Sequence, residues 1–131
     1  MIEMGENWLS AVLPWAPTVN HYYQKSRKGA FFLSQRGRRF RDDVSALLRP
    51  CSPLSGPLSL RVDLFPPDRR KRDIDNNLKA LLDSLEKGGA FEDDNQITHL
   101  SVFKHEAKKP GRISIHLSCI KIPVKQEGDL G

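Results

Sequence analysis

Residues 58–87 read LSLRVDLFPPDRRKRDIDNNLKALLDSLEK, and three kinds of patterning succeed one another within them. Leu58, Leu60, Val62 and Leu64 alternate with Ser59, Arg61 and Asp63, the period of a half-buried strand. Pro66-Pro67 closes that strand, because proline offers no N–H to a ladder. From Asp75 to Lys87 the period lengthens. Leu78, Leu81, Leu82 and Leu85 recur at i, i+3, i+4 and i+7, the core stripe of a helix, and Gly88-Gly89 ends it. A strand, a break and an amphipathic helix in succession predict an α/β fold, with α+β as the alternative: a single domain in which a mixed β-sheet carries two main helices.

The flanking sequence fits the same plan. Trp8 to Leu13 and Ala30 to Leu33 read as short strands, with a polar loop at Gln24 to Gly29. Ser34 is placed to cap a helix running to about Arg49, with Phe40, Val44, Leu47 and Leu48 on its apolar face. Gly37 weakens the first turn of that helix. Gln96 to Lys104 and Arg112 to Ile120 read as strands, and the Lys108-Lys109-Pro110-Gly111 turn predicts that they form a hairpin. Residues 1–12 are expected to be an extension running into the first strand, with Met4 as an alternative start. The domain proper covers 13–120, and 121–131 is a polar, frayed tail.

The chain has 131 residues, enough for one modest core. It carries 21 Lys+Arg against 16 Asp+Glu, and the cations fall in three clusters: Arg36 to Arg41, Arg69 to Arg72, and Lys104 to Arg112. A fold that gathers them onto one face makes a nucleic-acid partner the natural reading. The alternative is solvated surface. Cys51 and Cys119 belong to no CxxC pair and read as reduced thiols of a cytoplasmic protein. Neither a signal peptide nor an apolar run of membrane-spanning length is present, so no membrane partner is expected.

Chemistry concentrates between the strand and the helix. Four consecutive cations, Arg69, Arg70, Lys71 and Arg72, lead into Asp73 and Asp75; Asn76 follows, then Lys79 four residues after Asp75, and Asp93-Asp94 one helix later. Clustered carboxylates repel unless a cation lies between them, and metal beside a phosphate-binding tract means phosphodiester chemistry. Asp73 and Asp75 cannot share one helical face, so Asp73 is expected to end the extended segment and Asp75 to open the helix, facing Lys79. If the strand opening at Gln96 lies beside the segment carrying Asp73, Asp94 converges with both. Each element also has a plain structural reading: Asp75 as a cap, Asp93-Asp94-Asn95 as turn chemistry, Lys79 in a surface ion pair of about 0.3–0.5 kcal/mol. On that reading the protein is a non-catalytic nucleic-acid-binding module. The four histidines show no metal-ligand spacing, and no nucleophile elbow or phosphate loop is present.

The run Pro67 to Lys79, with Asp83, Leu85 and Asp93-Asp94-Asn95-Gln96-Ile97, closely resembles the RusA family of Holliday-junction resolvases. The resemblance extends to Leu13-Pro14-Trp15-Ala16-Pro17, Asn20, Tyr22-Tyr23 and Arg41-Asp42 with Val44, and so covers the chain from about Leu13 to Cys119. It implies a small, dimeric, metal-dependent endonuclease of phage or prophage type that nicks four-way DNA junctions in symmetric pairs during recombination and repair. The implied site has Asp73, Asp75 and Asp94 as catalytic acids holding Mg²⁺ (Mn²⁺ substituting), Lys79 as catalytic lysine, and Arg69, Arg70, Lys71 and Arg72 on DNA. Asp93 and Asn76 are supporting residues, and no organic cofactor is implied. Two departures stand out. Asn77 replaces an apolar residue, which predicts a looser first helical turn, and Ala16 stands where proline is common.

Overall fold

The computed structural model describes residues 1–120. Among these residues seven strands are present: β1 (Ile2–Met4), β2 (Trp8–Pro14), β3 (Tyr23–Lys25), β4 (Phe31–Leu33), β5 (Leu58–Phe65), β6 (Ile97–Lys104) and β7 (Arg112–Cys119). Three helices join them: the one-turn α1 (Val19–Tyr22), α2 (Gln35–Leu48) and α3 (Leu78–Lys87). Five strands form a mixed sheet in the order β1-β2-β7-β5-β6, and β3 and β4 make a separate ribbon. The expected α/β domain is therefore present, with a third, short helix and an extra edge strand in residues 2–4 that the sequence did not announce.

The core lies between one sheet face and the helices. Leu9, Ala11 and Leu13 of β2, Leu58 to Leu64 of β5, and Ile113 to Leu117 of β7 meet Phe40, Val44 and Leu48 of α2 and Leu81 and Leu85 of α3. Ser34 caps α2 as its sequence position predicts, its Oγ accepting from Gly37 N at 2.9 Å. Gly37 has a positive reason to be there: a Cβ would run into the Tyr22 carbonyl and crowd Leu33. Gly89, at φ +92°, releases the chain from the end of α3.

Three expectations need correction. The stretch Gln24 to Gly29 is not all loop, because Tyr23–Lys25 pairs with Phe31–Leu33. The last two strands form no hairpin. β5 lies between them, parallel to β6 and antiparallel to β7. A parallel pair needs a crossover, and α3 supplies it. The β6–β7 connection then steps over the end of β5, held by His105 N on Leu64 O at 2.8 Å and Lys108 N on Pro66 O at 2.7 Å. Gly111, at φ +89°, lets this turn pass Pro67, which would stand 3.0 Å from a Cβ. Finally, α3 starts at Leu78, not Asp75. The Asn76 carbonyl, which a longer helix would direct at residue 80, accepts instead from Val19 N at 3.1 Å.

Candidate active site

Beyond Pro67 the chain makes a braced loop. Asp68 accepts from Arg70 N at 3.0 Å and pairs with the Arg72 guanidinium at 2.8 Å. The Arg72 hydrogen bond, then Arg70 N–H, hold the Asp68 carboxyl below its ordinary range. Arg72 also donates to the carbonyls of Asp68 and Arg70 and lies over the Trp15 ring at 5.8 Å. Its side chain is only 16% exposed, so much of this cation is spent inside the loop. Arg69, Arg70 and Lys71 remain exposed. Lys104 Nζ donates to the Arg72 carbonyl at 2.9 Å and ties the loop to the end of β6.

Two turns follow, Asn76 N on Asp73 O and Leu78 N on Asp75 O. They present Asp73 and Asp75 exposed, and among the described residues neither carboxylate has a hydrogen-bond or ion-pair partner. The nearby acids differ: Asp63, Asp68 and Asp83 are all paired. Asn77 fixes the base of the loop. It is 2% exposed, and its Nδ2 donates to Ala16 O at 2.6 Å. The looser turn expected there is absent, because this hydrogen bond takes the place of apolar packing. Asn77 and Ala16, the two positions expected to depart from the pattern the sequence resembles, meet each other.

Lys79 is exposed on the first turn of α3. Because Asp75 precedes the helix, the expected shared helical face of these two residues does not exist. Four residues on from Lys79, Asp83 receives the Tyr22 hydroxyl and Arg41 Nη2, the latter at 2.6 Å. Burial pushes the Asp83 carboxyl up, but these two hydrogen bonds, with the charges of Arg41 and Lys79, outweigh it and leave it below its ordinary range. The cluster joins α1, α2 and α3 beneath the loop.

The three cation clusters do gather. Lys104 touches the loop directly, while Lys108 and Arg112 flank Phe65 at 5.8 and 4.9 Å at the end of β5. Arg36 and Arg39 line a cleft of about 260 Å³ with Trp15, on whose ring Arg72 lies. Asp73 and Asp75 therefore stand in a basic surround.

Asp94 stands elsewhere. It opens a 3₁₀ turn, Asp94–Gln96, immediately before β6. Asp93 caps that turn, its side chain accepting from Asn95 N at 2.8 Å, so its plain structural reading holds. Gln96 closes the capping box and donates to Leu54 O and Gly56 O. Asp94 N donates to Glu86 at 2.8 Å, near the far end of α3. Ligand oxygens of Glu86, Asp93 and Asp94 lie within 4.8 Å of one another. Glu86 was not foreseen; its only signal was an acid one turn before Gly88-Gly89.

The expected convergence within one chain fails, for a topological reason. β6 does pair with β5, but in parallel, with Leu58 beside Ile97 and Leu64 beside Lys104. Asp94 precedes the start of β6, whereas Asp73 follows the end of β5 and sits near Lys104. Seven strand steps separate the two levels, on the order of 20 Å.

Among the described residues no helix is long and apolar enough to cross a membrane. The family model of endodeoxyribonuclease RusA matches residues 14–118. A crossover junction endodeoxyribonuclease RusA of Shigella sonnei is 36% identical over 115 residues, covering 86% of this chain and 95% of that protein. That of Escherichia coli K12 matches to the same extent, and that of Enterobacteria phage 82 is 35% identical over the same shares. Among solved structures, a periplasmic domain of Helicobacter pylori MotB overlays with a TM-score of 0.44 at 14% identity, over 92% of this chain and 89% of that one, a likeness too slight to bear on function. The motif around Asp73 and Asp75, the fold that presents it and the match over nearly the whole domain agree: the chain belongs to the endodeoxyribonuclease RusA family.

Proposed function

We propose that this protein resolves four-way DNA junctions by paired, metal-dependent nicks, acting in the cytoplasm as a homodimer. The observation that carries the reading is the pair of exposed carboxylates, Asp73 and Asp75, without a partner among the described residues and held on a braced loop inside a basic surround. The relatives' activity, that of crossover junction endodeoxyribonucleases, supplies the substrate class.

The donor set fits a hard divalent cation. Carboxylate oxygens without protein partners among the described residues suit Mg²⁺, with Mn²⁺ able to substitute. Such an ion, held by Asp73 and Asp75 with Asp94, would supply Lewis acidity at the scissile phosphate and lower the pKa of a water toward the hydroxide nucleophile. The chain's own groups do the rest. Arg69, Arg70 and Lys71 hold neighbouring phosphates. The Lys79 ammonium, exposed on the first turn of α3, meets charge developing on phosphate oxygens. Arg72 braces the loop as well as adding positive charge to it.

Asp94 joins this site only if a second copy supplies it, since one chain keeps it on the order of 20 Å away. A two-fold dimer then has two composite sites, one for each strand to be cut. Co-folding Asp75→Asn with Asp94→Asn tests this directly. Each variant alone is inert. The mixed dimer regains one intact site and nicks one strand of a labelled junction in Mg²⁺. Inert mixtures overturn the composite site, and a wild-type protein that binds junctions without metal-dependent product overturns the enzyme in favour of a binding module.

A further inference from the structure

The β3–β4 ribbon stands apart from the five-stranded sheet and leaves its largest apolar side chains in solvent. Phe31 is 72% exposed and Phe32 43%. The ladder sets Lys25 opposite Phe31 and Gln24 opposite Phe32, so the two rings lie on opposite faces of the ribbon. At the root, Tyr23 and Leu33 still pack against the core. Two residues further out on the same face, Phe31 has left it, with Lys25 Nζ over its ring at 5.9 Å. The tip between the strands is internally bonded. Ser26 N donates to Ala30 O at 2.7 Å, Gly29 N to Ser26 O at 3.0 Å, and Ala30 N to Ser26 Oγ at 3.1 Å.

Charge narrows what can cover these rings. From Asn7 to Arg41 the chain has seven Lys or Arg and no Asp or Glu. Lys25, Arg27 and Lys28 are all exposed at the tip. Aromatic rings among cations alone fit a partner with flat apolar faces and an anionic rim, which describes the open end of a stack of base pairs. A continuous duplex hides those faces. A branch point, where four helices end, offers them.

The ribbon is also within reach of the acids. It follows α1 directly, and Val19 N at the start of α1 donates to Asn76 O beside Asp75. At about 1.5 Å per residue through α1 and 3.3 Å along β3, Phe31 stands roughly 25 Å at most from Asn76. That is less than one turn of duplex, about 34 Å, so an arm lying over Asp73 and Asp75 can end at the ribbon.

We propose that the ribbon reads branching. Phe31 and Phe32 wedge in at the crossover and stack on base-pair faces exposed there, while Lys25, Arg27 and Lys28 hold the flanking phosphates. The inference rests on the junction-resolving reading and assigns its structural selectivity to residues outside the acidic site.

Binding to a labelled four-way junction and to a linear duplex tests it, measured with the whole protein and no divalent metal, so that neither DNA is cut. Joint replacement, Phe31→Ala with Phe32→Ala, should weaken junction binding about tenfold or more and leave duplex binding within about twofold. Phe31→Trp should keep junction affinity, since its ring also stacks. Lys25→Ala should weaken both DNAs alike and reduce the salt slope by about one. A 2-aminopurine beside the branch point reads insertion directly: its fluorescence should rise when the wild type binds and stay low when the double variant is saturated. Far-UV circular dichroism checks that these exposed positions leave the fold intact. A double variant that keeps the wild-type ratio of junction to duplex affinity, or loses both in parallel, overturns the wedge. So does a probe signal that the double variant reproduces. A double variant that changes only the sedimentation of the protein makes the rings a protein interface instead. A wild type with no preference for the junction overturns the junction-resolving reading, and the wedge with it.

Discussion

The acidic loop before α3 and the acidic turn after it look equivalent in sequence and are built differently. In the loop, the backbone is braced by Arg72, Lys104 and Asn77, and the carboxylates of Asp73 and Asp75 are left free of partners among the described residues. In the turn, two acids do the bracing: Asp93 caps the 3₁₀ turn and Glu86 receives Asp94 N–H. Cations and amides hold the first, so its negative charge is available. Carboxylates hold the second, so much of its negative charge is already in use. A pair of acids thus has different chemistry according to what supports it.

The largest expected effect separates the two regions sharply. Asp73→Asn or Asp75→Asn should reduce cutting on the order of 10³-fold or more, the loss of several kcal/mol of transition-state stabilisation. Junction binding should hold or improve, because negative charge near DNA is removed. Asp94→Asn should behave the same way, whereas Asp93→Ala should cost about 1 kcal/mol of stability through its cap and leave single-turnover cutting largely intact. The roles within the turn are reversed if Asp93→Ala is inert and Asp94→Asn cuts.

Lys79→Ala comes next, with a loss on the order of 10²-fold in single-turnover rate at saturating enzyme. A wild-type rate under those conditions would reduce Lys79 to a phosphate contact. Asn77→Ala probes the bracing itself. It leaves the buried Ala16 carbonyl unsatisfied and should destabilise by about 1–3 kcal/mol in urea unfolding, with cutting impaired more than DNA binding. An unchanged midpoint would mean that the loop needs no such anchor.

The smallest effect is a pH dependence. Asp83 has a folded pKa below its unfolded value, so its stabilisation is complete above the unfolded value of about 3.9 and is lost as pH falls through the lower folded value. Asp83→Asn should therefore flatten the acid limb of stability against pH below about pH 5 and leave its slope near neutrality unchanged. An acid limb as steep as that of the wild type would assign the acid sensitivity to other carboxylates.

Much of the fold was legible because its strongest signals are local. The alternation of Leu58 to Leu64 and the leucine stripe of α3 each declare an element without reference to the rest of the chain. Partner choice is not local. Nothing within Gln96 to Lys104 or Arg112 to Cys119 says that β5 will come between them, and a turn containing Pro110-Gly111 suits a hairpin as well as a step across one strand. That one uncertainty decided where Asp94 lies relative to Asp73. The start of α3 was misplaced for a similar reason: the Asn76 carbonyl is taken by Val19, almost sixty positions away. The candidate acids and lysine were legible as residue types at particular spacings. What braces them was not, since Asn77 reaching Ala16 is a tertiary fact.

The placement of Asp94 one strand length from Asp73 has a physiological side. With the third acid supplied by a second copy, a lone chain is harmless to DNA, and its output depends on dose. Well below the dimer dissociation constant, halving the amount of protein would quarter the number of competent nucleases. A cell or a phage carrying such a gene could tolerate slow leakage of product and still obtain an abrupt rise in cutting once expression begins, with no inhibitor and no covalent switch.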